Sequence, residues 1–329
     1  MYYIGINKED WHNSLEKLLT EYDIFVPVKN EYSLDYEPFR VNEADHVAYN
    51  EPKPATPLKN FFLPVRENVT SPGDGGKPRI IVGVPNCDIE ALRLLDEIYL
   101  DEAFTDPFYR IRRESTILVS TDCYSAAQHC HCTSYGVRPY PDGHADLGLA
   151  SEGDNIYLKV VTEKGDRLAK KLLPVRSVTD MSLLAFIEER HRQVEDELAS
   201  MNKGLPDYTK TGKIVSEAGS DIWVRYASKC VSCGACTTIC PTCSCFLLID
   251  KPDFEKVKQT DACQYPGFER VAGGEDPLFE LPHRFRNRYM CKYVWKPQKF
   301  STIACTGCGR CIEACIGRIN KNELFMELT

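Results

Sequence analysis

The chain has 329 residues, 43% of them hydrophobic, and a formal net charge of −8 from 40 basic and 48 acidic side chains. That length admits two domains with ordinary buried cores, and the acidic balance argues against nucleic acid as the main partner. No window approaches the roughly 18 apolar residues of a membrane span. Sixteen cysteines would suggest disulfides in a secreted protein. However, residues 1–14 (MYYIGINKEDWHNS) lack a basic start followed by an apolar stretch. The expectation is a cytoplasmic, anaerobic metalloprotein whose thiols stay reduced.

The first part of the chain reads as α/β. Residues 9–22 place Trp11, Leu15, Leu18 and Leu19 at helical spacing, and residues 24–28 read as a strand. Residues 37–69 read as irregular, and residues 71–77 (SPGDGGK) as a loop by their glycines. An apolar strand over 79–84 follows. Asp88 then stands as the N-cap of a helix through Tyr99, with Ile89, Leu92, Leu95 and Ile98 on one face. A helix around 107–113 precedes a strand at 116–120, and 156–161 reads as another strand. Residues 180–201 form an amphipathic helix ending in a Lys-Gly-Leu-Pro linker, and 215–229 a further helix. The expected layout is an α/β domain over 1–205 and a mostly helical, ferredoxin-like dicluster domain over 206–329.

Two cysteine runs dominate that second region. Cys230, Cys233, Cys236 and Cys240 precede Pro241, and Cys305, Cys308, Cys311 and Cys315 repeat the spacing with Ile316 in place of proline. This is the ligand spacing of bacterial ferredoxins holding two [4Fe–4S] clusters, in which the fourth cysteine of each run serves the other cluster. The predicted sets are Cys230, Cys233, Cys236 with Cys315, and Cys305, Cys308, Cys311 with Cys240. Gly234, Gly307 and Gly309 would let backbone amides approach the inorganic sulfurs. Structural zinc takes two separated pairs per metal and fits two four-cysteine runs poorly. The runs lie 65 residues apart, which calls for an insertion.

Four cysteines fall in the N-terminal region. Cys87 and Cys123 follow strand ends, and Cys130 and Cys132 sit in His-Cys-His-Cys-Thr-Ser. Strand ends are where α/β sheets place ligand sites. A third [4Fe–4S] cluster, zinc with His129 or His131, and reduced core thiols all remain open here. Cys243, Cys245, Cys263 and Cys291 have no ligand spacing behind them: Cys243 and Cys245 read as lining the first cluster's pocket, and a fourth cluster on the four thiols is conceivable but ranks behind ordinary packing. Residues 281–300 carry Arg284, Arg286, Arg288, Lys292, Lys296 and Lys299 without an acid. They read as a solvated face over Tyr289, Tyr293 and Trp295, with partner docking or a raised cluster potential as the alternatives. Arg112 and Arg113 are expected to pair with nearby acids. There is no Gly-x-Gly-x-x-Gly after a strand, no phosphate loop and no Gly-x-Ser-x-Gly elbow.

Several segments carry a family likeness: 83–92 (GVPNCDIEAL), 106–110 (DPFYR), 130–134 (CHCTS), 240–246 (CPTCSCF), 261–268 (DACQYPGF) and 305–311 (CTGCGRC). In this order they resemble the iron–sulfur beta subunit of soluble hydrogenases (sulfhydrogenases) and the related A subunit of anaerobic sulfite reductase. Residues 82–92 and 130–150 also bear a weaker likeness to the beta subunits of deazaflavin-coenzyme-reducing enzymes, which are iron–sulfur flavoproteins. The resemblance implies a non-catalytic electron conduit in a cytoplasmic multi-subunit oxidoreductase. Its partners would be a diaphorase-type subunit with FAD and a [2Fe–2S] centre, handling NAD(P)H, and a catalytic subunit. That catalytic subunit is a hydrogenase in one subfamily and a sirohaem sulfite reductase in the other. A free-standing iron–sulfur flavoenzyme, or a protein using clusters as staples or a redox switch, are the competing readings. Cys291 stands where the resemblance implies histidine.

Overall fold

The computed structural model describes residues 2–70, 76–141, 143–178, 181–300 and 302–329. Of the loop expected at 71–77, residues 71–75 lie outside these, as does residue 180 at the start of the long helix.

Strand β1 (Tyr2–Asn7) runs straight into α1 (Lys8–Leu18), where the Asn7 side chain accepts the Glu9 backbone N–H and Trp11, Leu15 and Leu18 turn inward. Next come β2 (Asp23–Lys29), β3 (Leu34–Pro38), β4 (Arg66–Asn68) and β5 (Arg79–Pro85). Helices α2 (Asn86–Tyr99) and α3 (Pro107–Ser115) lead to β6 (Thr116–Thr121), β7 (Leu147–Glu152), β8 (Asn155–Val160), α4 (Glu163–Ala169) and β9 (Arg176–Ser177). Eight strands form one sheet in the order β3-β2-β5-β6-β7-β8-β1-β9. Its middle, β2-β5-β6-β7, is parallel, and its flanks are antiparallel.

The central strands β5 and β6 are buried almost throughout, as strands covered on both faces are, and each has an apolar centre. Ile80, Val82, Ile117 and Val119 join one core, and Ile81 and Leu118 the other. At Gly83 the β5–β6 register shifts and φ reaches +72°. That bulge moves Val84 into the core of Ile81, and a Cβ at Gly83 would lie 2.5 Å from the Pro27 ring.

The remaining chain is α5 (Met181–Met201), α6 (Tyr208–Glu217), α7 (Ser220–Ala227), α8 (Ala235–Thr238), β10 (Phe246–Asp250), β11 (Lys256–Thr260) and α9 (Leu281–Met290). A π-helical turn (Cys291–Trp295) then joins α9 to α10 (Lys296–Lys299), followed by α11 (Arg310–Glu313) and α12 (Lys321–Leu328). Trp223, Phe285, Tyr289, Tyr293 and Phe325 form the aromatic core of this part. No helix among the described residues is long and apolar enough to cross a membrane.

Three local expectations are corrected. The helix expected over 215–229 is two helices, broken at Ala218 and Gly219. Residues 37–69 are not all irregular, since they hold 3-10 turns at Val41–His46 and Leu58–Phe61 and the strand β4. Strand β4 pairs with β11 in a sheet of order β10-β11-β4, so this sheet bridges the border expected at 205/206 and interrupts the helical second region. Asp88 is not a cap either: α2 begins at Asn86.

Asp88 instead makes a bidentate ion pair with Arg310, at 2.7 and 2.8 Å, while Arg310 Nε donates to the Pro54 carbonyl at 2.9 Å. Both side chains are buried. Removing one partner of such a pair strands a charge in low dielectric, at a cost of about 3–5 kcal/mol. Asp88→Ala is therefore expected to lower the thermal unfolding midpoint strongly, and Asp88→Leu combined with Arg310→Met to recover most of the loss. Calorimetry of the three proteins measures this; equal midpoints for Asp88→Ala and the parent would show the pair to be dispensable.

Candidate metal centre

Helix α7 delivers the first run, with the Cys230 N–H donating to Ala227 O at 2.9 Å. Gly234 then turns the chain at φ +71°, where a Cβ would meet the Tyr265 ring at 2.6 Å. Cys230, Cys233, Cys236 and Cys315 line one cavity, and Cys311 reaches the same cavity from the second run. Cys240 lies apart from it. Its sulfur accepts from Lys292 Nζ at 2.9 Å, and Lys292 also faces Cys305. Cys308 in turn interacts electrostatically with Cys240 and Cys311. The fourth cysteine of each run is thus placed with the other run.

The second run meets the N-terminal region backbone to backbone. Gly307 and Gly309 have φ of +67° and +77°. A Cβ at Gly307 would lie 2.5 Å from Cys132 Cα, and one at Gly309 2.4 Å from the His129 carbonyl oxygen. His131 N–H donates to Gly307 O at 2.8 Å. These glycines serve loop-on-loop packing, which sets Cys308 on the wall of a cavity lined by Cys87, Cys123, Cys130 and Cys132. Neither His129 nor His131 lines it. The His131 ring lies edge-on to Tyr135, and burial first, then Lys321, keeps it neutral.

Burial opposes the anionic form of these sulfurs. It pushes the thiols of Cys87 and Cys123 well above the usual range, Cys132 and Cys308 to about 12, and Cys236 to about 11. Buried cations stand against that trend. Lys59, Arg288, Lys292 and Lys321 are each at most 5% exposed and have no carboxylate partner within 4.0 Å among the described residues. Lys53 Nζ lies 3.7 Å from Cys130 Sγ, besides its ion pair with Glu313. Arg288 Nε, in the wall of the first-run cavity, is buried with no hydrogen-bond partner. Unpaired buried cations are costly, so this donor set fits an anionic thiolate-bound group. No three His, Cys, Asp or Glu among the described residues are grouped as for one metal ion; a cubane, with an iron at each of four corners, holds its thiolates further apart than a single ion does.

Residues 229–319 match the 4Fe-4S dicluster domain family. Over 341 aligned residues the chain is 29% identical to sulfhydrogenase 2 subunit beta of Pyrococcus furiosus, spanning 100% of this chain and 98% of that protein. It resembles that hydrogenase subunit from end to end. The cofactor class is [4Fe–4S], and iron–sulfur electron transfer is the activity these likenesses support.

For this sulfhydrogenase-like chain the reading of 281–300 as a solvated face is corrected at three of its six cations, while Lys299 is exposed and Arg286 and Lys296 are half-buried. Arg284, Arg288 and Lys292 are buried, and Trp295 is 47% exposed instead of packed beneath. The signal lay in the spacing, since Arg284, Arg288 and Lys292 recur every four residues, each followed by an aromatic that enters the core (Phe285, Tyr289, Tyr293). Cys243 and Cys245 do not line the first-run cavity; they lie on another, with Lys59 and Tyr99. Arg113 pairs with Asp96 at 3.2 Å and Arg112 with Glu67, as expected.

The Lys292 charge favours the more negative, reduced state of whatever Cys240 ligates. At an effective dielectric of about 20 and roughly 8 Å the interaction is about 2 kcal/mol, or roughly 90 mV for a one-electron couple. Lys292→Met is therefore expected to lower one midpoint potential by about that amount. EPR-monitored redox titration checks it, and unchanged potentials would remove Lys292 from the site's electrostatics.

Proposed function

We propose that the chain is a non-catalytic electron-transfer subunit of a cytoplasmic multi-subunit oxidoreductase. Its α/β region, 1–205, would carry one site on Cys87, Cys123, Cys130 and Cys132. Its dicluster region, 206–329, would carry two, on Cys230, Cys233, Cys236 with Cys315 and on Cys305, Cys308, Cys311 with Cys240. Bound [4Fe–4S] clusters take up and release single electrons. The chain's own part is to hold the ligands, exclude water and supply counter-charge.

The observation that carries this reading is the central position of the second run: Cys311 lines the cavity of the first run, and Cys308 that of the N-terminal four. Three ligand sets that adjoin in a row suit a relay better than they suit separate staples. The full-length likeness to a sulfhydrogenase subunit supports the partners: a flavin- and [2Fe–2S]-bearing subunit that handles NAD(P)H, and a hydrogenase catalytic subunit. The corresponding subunit of anaerobic sulfite reductase is the alternative assignment.

Iron, acid-labile sulfide and EPR on anaerobically prepared variants test the ligand sets. Cys233→Ala and Cys123→Ala are each expected to lose about four irons, one cubane each. Cys240→Ala should alter the EPR signal that Cys308→Ala alters and leave the signal of Cys233 intact. If Cys240→Ala instead disturbs only the Cys233 signal, the ligation is not crossed; if Cys123→Ala keeps its full iron, the N-terminal site holds no cluster.

A further inference from the structure

Four cysteines remain outside these three sets, and the fold gathers them. Cys243 lies one turn beyond Cys240, its N–H donating to Cys240 O at 3.3 Å. Cys245 enters β10 and Cys263 leaves the region of β11, and these strands pair antiparallel with Phe246 opposite Thr260. The Asp261 N–H closes the hairpin mouth on Cys245 O at 3.0 Å. Cys245 interacts with Cys263 across the hairpin mouth, and electrostatically with Cys243 and with Cys291, at the head of the π-helical turn. π-Turns within α-helices are rare and concentrate at functional sites.

From this arrangement we propose that Cys243, Cys245, Cys263 and Cys291 ligate a fourth [4Fe–4S] cluster, beside the one held by Cys240. The surroundings suit thiolates bound to an anionic group. Cys263 is 7% exposed, and its sulfur lies 3.6 Å from Thr237 Oγ1 and 3.8 Å from Gln264 Nε2, groups able to donate to it. Hydrogen bonds of this kind orient metal ligands and tune the centre they bind. Lys59 Nζ donates to the carbonyls of Thr237 and Cys243 at 3.4 and 3.0 Å, and both Lys59 and Arg288 interact electrostatically with Cys243. Neither cation has a carboxylate partner among the described residues, and a thiolate at Cys243 would add to the counter-charge that Cys236 and Cys311 give Arg288 and that Cys240 gives Lys59. On loading, two ferrous ions, two ferric ions, four sulfides and the four thiols give one cubane; each bond from iron to a cysteine sulfur replaces one S–H bond and releases one proton to solvent, and iron supplied in both oxidation states leaves no electron to be removed.

This inference goes beyond the three-site relay and is separable from it. The full-length chain is prepared anaerobically and reconstituted with equal amounts of ferrous and ferric iron and with sulfide, and iron and sulfide are counted with native mass spectrometry alongside. The unmodified protein is expected to hold about sixteen of each, four per cubane. Cys245→Ser and Cys291→Ser should each hold about twelve, and Cys291→Ser provides the gentler change should the hairpin variant fold poorly. A parent protein with about twelve irons, unchanged in both serine variants, overturns the fourth site and leaves the relay reading intact. One zinc per chain that disappears with Cys245→Ser overturns it as well. Should Cys233→Ala, run in parallel, lose no iron, the relay reading fails instead, whatever the serine variants show.

Discussion

Holding negative charge inside protein is the constraint around which this molecule is arranged. A thiolate is a poor guest in low dielectric, and most of the cysteines here are buried or half-buried. The chain answers with cations threaded among the sulfurs. Burial works against the charge on Lys292, yet Cys240, Cys243 and Cys305 outweigh it and hold the ammonium well above its usual range. Arg288 is held up in the same way against burial by Cys236 and Cys311, and Arg310 by Asp88 and Cys308. Lys59 is the contrasting case: burial prevails and moves it down despite Cys243 and Cys240. Neutralised in this way, the interior can carry thiolates that an apolar core would keep protonated.

The same constraint explains how the two regions are joined. Ligands drawn from distant parts of the chain must meet within a few ångströms, so their backbones have to touch. Gly307 and Gly309 allow this against the segment His129–Cys132, where any Cβ would collide with backbone atoms. Arg310, one residue beyond, locks the contact by pairing with Asp88 in the first turn of α2, next to Cys87. A single short segment thus carries cysteines proposed as cluster ligands, the glycines that admit a neighbouring loop, and the arginine that fastens a third. Strand β4, paired with β11, adds a second tie between the same regions.

The elements that could be read in the sequence are those fixed by local pattern. The apolar runs of β5 and β6 and the amphipathic α2 are recovered within a residue or two, because period and burial coincide there. The spacing of the eight cysteines in the two runs is likewise local, and it marks the region that matches the 4Fe-4S dicluster domain family. What escaped was set by contacts between distant segments. Asp88 looks like a cap when only the next turn is considered; its partner lies 222 residues away. Strand β4 is three residues long and gains its identity from β11. The stretch 281–300 was misjudged because a cation every four residues normally marks a wet helix face, and only the thiols opposite make that face an interior one.

The 64 residues between the two cysteine runs are more than a spacer. They supply the β10–β11 hairpin, Cys263 at its end, and α9 with its π turn. From that helix Arg288 faces Cys236 and Cys311, and Lys292 faces Cys240 and Cys305. Lys292 thus faces two sulfurs of one proposed set, and Arg288 stands between the two sets, facing one sulfur of each. A minimal ferredoxin keeps its clusters close to solvent and has little need of such a helix. A dicluster region packed against a second, cysteine-bearing region loses that access to water, and the inserted helix replaces solvent screening with fixed charge.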